Sequence, residues 1–303
     1  MNIKNNETIN IAFVVDKNYF DFVMVMVCSI LDHSQSRYRA YILYTGIDKA
    51  MMDICHNKFS DDPIEFIFIE FNKEKYNQYS MNNKIYTLTT YAKFEIPELV
   101  AEDKIIYLDS DMIVVKDLLP LWQLFDPKYS IMAASNPSYS KWKDRDILGL
   151  EDQQKTFNAG VLLMNLKKIR ETGTVQQLFD FTNRNHDQIK LLDEAAFNYV
   201  FQKDWAEIPS YYNYTTLFFR RKYSIAGISK EEYSDAKRNL TIIHFTGRDK
   251  PWSFISPHPM NRVWQSYYSR CIKPFRYQNV TLKNIVKKVT RKIKFILSYN
   301  KKV

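Results

Sequence analysis

Apolar residues along the chain fall into short β-branched runs separated by stretches of helical period. Ile9 to Asp16 reads as a first strand, followed by the turn Asp16-Lys17-Asn18-Tyr19. Phe20 to His33 predicts a helix, Arg39 to Thr45 a strand, Lys49 to Phe59 a helix and Ile64 to Phe71 a third strand. This β-α-β-α-β alternation predicts a doubly wound α/β sheet. Thr90 to Val100 predicts a helix that Pro97 ends or bends. A strand that begins at Lys104 and leads up to Asp109 and Asp111, strands at Ile131 to Ser135 and Phe157 to Leu166, a helix over Asp193 to Gln202 and a strand at Leu240 to Phe245 complete the body.

The run from Lys104 to Val115 carries the chemistry. Its first half is a buried-strand pattern, and Asp109 and Asp111 stand where it pauses. That is the carboxyl edge at which open α/β sheets bind ligands. Two carboxylates this close repel unless a cation lies between them, and a divalent metal is the usual solution. A capped turn is the plain alternative. No G-x-G-x-x-G follows the first strand, so a dinucleotide loop is not expected.

Composition narrows the class. With 303 residues, 46% apolar and 25% charged, the chain can bury a sizeable core. Cys28, Cys55 and Cys271 are odd in number and far apart, which indicates neither a disulfide framework nor a zinc site. A reducing compartment is the simple expectation. The polar start, with Glu7, has no export-signal pattern, and the apolar stretch Phe22 to Leu31 is too short to span a bilayer.

The charge is unevenly placed. Residues 271–303 hold ten Lys or Arg and no Asp or Glu, so of the net +9 this tail alone supplies +10. Residues 1–270 are near neutral and form the expected catalytic body. Within the tail, Leu282, Ile285, Val286, Val289, Ile293, Ile296 and Leu297 share an arc of about 120° on a helical wheel. Lys283, Lys287, Lys288, Arg291, Lys292 and Lys294 lie outside it. Such a helix suits an anionic membrane interface. The alternative is a helix docked on its own domain with a solvated basic face. Nucleic acid is not expected, because no aromatic residues interleave with the charges as stacking requires.

Five stretches taken in order are similar to the family 8 glycosyltransferases, retaining sugar-nucleotide enzymes. They are Val14-Val15-Asp16-Lys17-Asn18-Tyr19, Tyr91-Ala92-Lys93, Tyr107-Leu108-Asp109-Ser110-Asp111, Phe157-Asn158-Ala159-Gly160-Val161 and His244-Phe245-Thr246-Gly247-Arg248-Asp249-Lys250-Pro251-Trp252. The resemblance implies a GT-A fold: one Rossmann-like nucleotide-sugar-binding domain with a mixed, mostly parallel sheet, here followed by a basic helical tail. It implies a UDP-galactose or UDP-glucose donor and a glycan or glycolipid acceptor of the lipopolysaccharide or lipooligosaccharide type. It also implies Mn²⁺, with Mg²⁺ possible, held by Asp109, Asp111 and His244. Val14, Asp16, Asn18 and Tyr19 would hold the nucleoside. Lys93, Ser110, Asn136, Asn158, Ala159, Asp193, Glu194, Gly247 and Lys250 would face the donor sugar or its diphosphate. The expected location is cytoplasmic, on the inner face of the membrane, with the tail as anchor. On that picture, deleting residues 272–303 lowers liposome binding and spares activity on a soluble acceptor.

Three positions depart from the family pattern. Lys93 stands where Arg is common, and a lysine cannot offer the same two-pronged fork. Asn136 stands where close relatives have Asp, which leaves galactose and glucose open. Glu194 stands where relatives have Gln, beside Asp193, and a carboxylate there could act as a glycosidase-like nucleophile. The other route is front-face transfer, in which the leaving phosphate takes the acceptor proton. Alternative functions are a self-glucosylating enzyme of glycogenin type, a sugar nucleotidyltransferase and a non-catalytic basic adaptor. Acceptor contacts are expected in the segments Pro137 to Gln154 and Tyr211 to Ser224.

Overall fold

The computed structural model describes residues 7–79, 88–136, 144–151, 154–220, 223, 228–277 and 280–300. Two compact units divide the chain. The first comprises residues 1–20, 34–110 and 118–208, and the second residues 21–33, 111–117 and 209–303.

The first unit is built on a seven-stranded sheet. Its strands are β1 (Thr8–Asp16), β2 (Arg37–Thr45), β3 (Ile64–Glu70), β4 (Lys104–Leu108), β6 (Ile131–Ser135), β7 (Phe157–Asn165) and β8 (Trp205–Ile208), in the order β3-β2-β1-β4-β7-β6-β8. β1 pairs in parallel with β2 and β4, and β2 with β3. β7 alone runs against its neighbours β4 and β6, so the sheet is mixed and mostly parallel. The strands read as unbroken apolar runs because both faces are covered. Ala12, Tyr41, Leu43, Ile105, Tyr107, Ala133, Leu162 and Met164 share one face by their period of two. They pack in one core with Leu178 and Phe181 of the helix Thr174–Asn185 and with Ala195, Ala196 and Phe197 of the helix Leu192–Val200.

The second unit holds a three-stranded sheet of β5 (Met112–Val114), β9 (Tyr214–Thr215) and β10 (Ile242–His244), with β10 central. It also contains most of helix α1 (Phe20–Asp32), and then α5 (Lys230–Arg238), α6 (Asn261–Cys271) and α7 (Leu282–Asn300). Between α1 and α5 the longer helices are α2 (Lys49–Lys58), α3 (Thr174–Asn185) and α4 (Leu192–Val200).

Several expectations are corrected here. The apolar run from Lys104 ends as β4 just before Asp109, as its pattern implies, but the residues after Asp111 enter a different sheet as β5. Thr90 to Val100 is mainly a 3₁₀ helix, Leu88–Glu95, and Pro97 opens the short α-helix Ile96–Leu99 instead of ending one. A proline at the first helical turn has no N–H to lose there. Cys28 and Cys271 form a disulfide between α1 and α6, across 243 residues of sequence. No spacing rule reveals a pair so distant, because the fold alone brings the two cysteines together. Cys55 is free and buried.

Helix α7 sits with its polar side inward. Asn284, Lys288, Arg291 and Phe295 lie on one side and are the less exposed positions, Phe295 being buried. Leu282, Ile285, Val286, Val289, Ile293, Ile296 and Leu297 are all exposed. At about 100° per residue these two sets are centred roughly 150° apart. The opposite arrangement, apolar side inward, is what an ordinary surface helix adopts. Among the described residues no helix is long and apolar enough to cross a membrane.

Candidate active site

Two clusters of polar side chains concern the motifs, one in each unit, and the chain passes from the first unit to the second between Ser110 and Asp111, one of five such crossings. In the first unit Lys93 is fully buried and directs its ammonium to Asp193 Oδ2 at 2.5 Å, the Ala159 carbonyl at 2.9 Å and Asp109 Oδ1 at 3.4 Å. An ammonium has three donors, and these three acceptors match them. The Tyr107 ring lies 4.4 Å away, and its hydroxyl donates to Asp109 at 2.7 Å. Burial alone would lower the Lys93 pKa, but Asp109 and Asp193 outweigh it and hold the group charged. Lys93 therefore ties together the carboxylates at the ends of β4 and α4.

Glu194 is clamped from β6 and β7. Asn136 donates to Oε1 at 2.7 Å, while Asn158 Nδ2 and the Ala159 N–H donate to Oε2 at 2.7 and 3.3 Å. Asn158 in turn accepts the Gly160 N–H at 3.1 Å. One turn along α4, Asn198 grips both backbone groups of Phe157 at 2.9 Å, which locks α4 to the start of β7. The four-residue spacing from Glu194 to Asn198 puts both side chains on one helix face. Leu192 begins α4 at φ +41°. A non-glycine residue there costs on the order of 1–3 kcal/mol, offset by the bonds that hold Asp193 and Glu194 in place.

Burial is the largest influence on the Glu194 carboxyl. The Asn136 hydrogen bond opposes it, the Asp193 charge adds to it, and the pKa is pushed up to about 8. The folded state therefore holds a proton that the unfolded state releases near the ordinary glutamate range, at about 4.5. Stability from this group falls as pH rises from about 4.5 and stops falling above about 8. Glu194→Gln cannot ionise, and it keeps the bonding pattern if one Asn amide turns its oxygen inward. The variant is expected to melt several degrees above the parent at pH 8.5 and level with it at pH 5. Equal melting temperatures at pH 8.5 would contradict the neutral-acid assignment.

At the end of β1, Asp16 accepts the Asn18 N–H at 2.8 Å, and the Tyr19 N–H meets the Asp16 carbonyl at 3.1 Å. The segment is an Asx turn with Lys17 and Asn18 exposed and Val14 and Tyr19 half-buried. It stands at the carboxyl edge of the parallel strands.

In the second unit, β10 ends on His244. Its Nδ1 lies 2.8 Å from Asn213 Oδ1, and its Nε2 is 3.3 Å from Asp111 Oδ1. The amide oxygen can only accept, so an Nδ1–H directed at it leaves Nε2 as the nitrogen that a metal ion could take. Lys250 donates to Asp111 Oδ2 and to the Phe245 carbonyl, the latter at 2.9 Å. Burial would raise the Asp111 pKa, but Lys250 and His244 hold the carboxyl below the usual carboxylate range. Gly247, at φ +73°, makes the turn that brings Lys250 back toward the strand end. Asp109 is tethered to this cluster by one residue, half-buried Ser110, and the chain limits the Cα separation to about 7 Å. Asp109, Asp111 and His244 form a set of side chains that could hold a metal ion. Two hard oxygens and an imidazole fit a divalent ion.

Sequence reading missed Asn213, which is 1% exposed between two tyrosines and carries no motif signal. It also missed Leu192 and the partners of Asp249. The segment 137–143, residues 152–153 and residues 221, 222 and 224, which include parts of both expected acceptor loops, lie outside the described residues.

The sequence profile described as Glycosyl transferase family 8 matches residues 10–256. The chain belongs to the family 8 glycosyltransferases. This glycosyltransferase is 24% identical to General stress protein A of Bacillus subtilis, over 88% of this chain and 95% of the relative. It is 25% identical to glycosyltransferase GlyA of Streptococcus pneumoniae over 85% of this chain, but spans only 34% of that longer protein. Among solved structures it matches the galactosyltransferase LgtC, crystallised with donor and acceptor sugar analogues, with a TM-score of 0.77 at 24% identity, over 92% of this chain and 100% of that one. GlyE of Streptococcus pneumoniae matches with a TM-score of 0.65 at 22% identity, over 96% of this chain and 64% of that one. The fold is GT-A, as the mixed sheet and the motif order led one to expect. The family 8 glycosyltransferase moves a sugar from a nucleotide-sugar donor.

Proposed function

We propose that the enzyme is a metal-dependent, retaining hexosyltransferase that uses UDP-galactose or UDP-glucose and extends a cell-surface glycan or glycolipid of lipopolysaccharide type. The observation that carries this reading is the carboxylate–carboxylate–imidazole set at the end of the Asp109-Ser110-Asp111 run, with Lys250 bonded to Asp111. A nucleoside diphosphate leaves only if its growing charge is neutralised. A divalent ion held by Asp109, Asp111 and His244 would supply that neutralisation, and Lys250 adds a fixed positive charge. Gly247 leaves the backbone open to a phosphate, with nothing within 4 Å of where a Cβ would stand. Asp16, Asn18 and Tyr19 hold the uridine; Asn136, Asn158, Ala159 and Asp193 hold the sugar.

The geometry favours front-face transfer over a covalent intermediate. A nucleophile must be ionised, and Glu194 is held largely neutral at pH 7 by a pKa of about 8. Both Glu194 oxygens are also occupied by hydrogen bonds from Asn136, Asn158 and Ala159. In front-face transfer the C1–O bond to the diphosphate breaks with its electron pair leaving on UDP. The acceptor oxygen bonds C1 on the same face, and its proton passes to the departing phosphate. Glu194 and Asp193 then orient the sugar. Early-time proton NMR of the sugar released from UDP-α-galactose or UDP-α-glucose tests retention, with the α anomer expected first; a glycosyl adduct on Glu194 found by trapping and mass spectrometry would contradict the front-face route.

Asn213 bears on the metal through His244. Asn213→Ala frees the imidazole ring and is expected to weaken Mn²⁺ binding about 10- to 100-fold, the usual effect of losing such an orienting partner. Free Mn²⁺ measured by electron paramagnetic resonance reads this without turnover, and unchanged affinity would refute the role.

The outward apolar stripe of α7 supports peripheral attachment to an anionic membrane surface. Lysines 283, 287, 292 and 294 flank the stripe, and all are exposed. A stripe of that kind flanked by cations matches an anionic lipid interface.

A further inference from the structure

Helix α7 turns seven of its apolar residues outward and buries Phe295, so hydrophobic burial alone does not hold its inner side. Three contacts within the second unit do so. The Arg291 guanidinium bonds Asp249 directly. Lys288 lies over the rings of Phe254 at 4.2 Å and Tyr277 at 4.8 Å. Phe295 is buried beneath Arg220, at 5.5 Å, and faces His258 at 6.5 Å.

The first contact reaches the donor-phosphate segment. Asp249 is the residue before Lys250, and its side chain is only 3% exposed. Its other cation, Arg220, is 3.5 Å away and 45% exposed. A carboxylate so buried must be paired or move toward water. If it moves, Lys250 moves with it, because both follow the Gly247 turn as adjacent residues. The third contact reaches the other support of Lys250. His258 packs on the Phe245 ring at 4.7 Å, and the Phe245 carbonyl is the 2.9 Å acceptor of the Lys250 ammonium. Both paths begin on the tail and end at Lys250.

We infer that Arg291 is a positioning residue: acting through Asp249, it fixes Lys250 for the donor diphosphate, so the C-terminal helix completes the second unit's cluster as well as facing a membrane. This rests on the glycosyltransferase reading above. It reverses the expectation that deleting residues 272–303 spares soluble activity.

The test uses the full-length protein without lipid, measuring UDP release from a UDP-hexose in the presence of Mn²⁺ and the melting temperature of each variant. Arg291→Ala is expected to raise KM about tenfold, within the range for directly coupled pairs, with a smaller fall in kcat. Arg291→Lys should recover part of the loss, since the charge returns without the fork. Asp249→Asn removes the buried charge that needs pairing, so adding Arg291→Ala to it should cost little more. A variant of the outward face, Val286→Ser with Ile293→Ser, should keep the parent KM while losing binding to phosphatidylglycerol vesicles. Parent-like KM in Arg291→Ala, or full additivity with Asp249→Asn, would overturn the inference. If Arg291→Ala does not fold, the KM of Asp249→Asn and of Arg291→Lys decides alone: a parent value in both overturns it. A wild-type protein that neither binds UDP nor releases it would overturn the function itself, and the inference with it.

Discussion

Replacing Asp111 with asparagine is expected to reduce metal-dependent UDP release by a factor on the order of a hundred to a thousand while leaving the protein folded. The substitution keeps the shape of the side chain and removes its charge. His244 Nε2 and the Lys250 ammonium, both facing Asp111, then lose the anion that organises them. Losing one preorganised electrostatic contact to a leaving group typically costs about that much in rate. Lys250 retains the Phe245 carbonyl and some exposure to water, so the fold should tolerate the change. Steady-state kinetics with Mn²⁺, beside a melting curve, checks both halves. A loss below about threefold would remove Asp111 from the site, since it would lie far under the usual cost of such a contact.

The second large effect is on stability. Lys93→Ala removes the ammonium that joins buried Asp193 to Asp109 and the Ala159 carbonyl. Breaking a buried ion pair from one side typically costs about 3–5 kcal/mol, because the remaining charge has no partner. Urea unfolding at pH 7 should show a loss of that size, and activity should fall with it. A loss below about 1 kcal/mol at pH 7 would mean that water reaches the cluster, in the manner of exposed pairs. Lys93→Arg is the informative companion, because arginine is the common family residue and its fork still has two carboxylates to meet.

Much of the architecture was legible. Strands β1, β2, β3 and β6 lie within two residues of their apolar runs, because a sheet covered on both faces requires such runs. The runs say nothing of direction, however. Phe157–Asn165 reads like its parallel neighbours, and its reversal in β7 appears only in the pairing. Asp109 and Asp111 were legible as chemistry because two carboxylates interrupt an apolar strand. That the chain changes sheets there was hidden, since Met112-Ile113-Val114 continues the same apolar pattern.

The tail shows the same division. Its amphipathic period was plain, but which side would be covered depends on partners far away in sequence. Asp249 and Phe254 of the second unit draw the polar side inward against the usual preference. Asn213 beside His244, and Cys28 beside Cys271, are likewise pairings that only tertiary structure makes. In each case a single residue has an ordinary sequence context, and its role comes from the atom it faces.

The most direct measurement of the central claim is UDP release from a panel of UDP-sugars without acceptor, in Mn²⁺ and in EDTA, by the wild-type protein and by Asp111→Ala. Release from UDP-galactose or UDP-glucose that stops in EDTA and in the variant is the predicted result. Release that persists undiminished in EDTA, or a protein that neither turns over nor binds UDP in Mn²⁺, would contradict it.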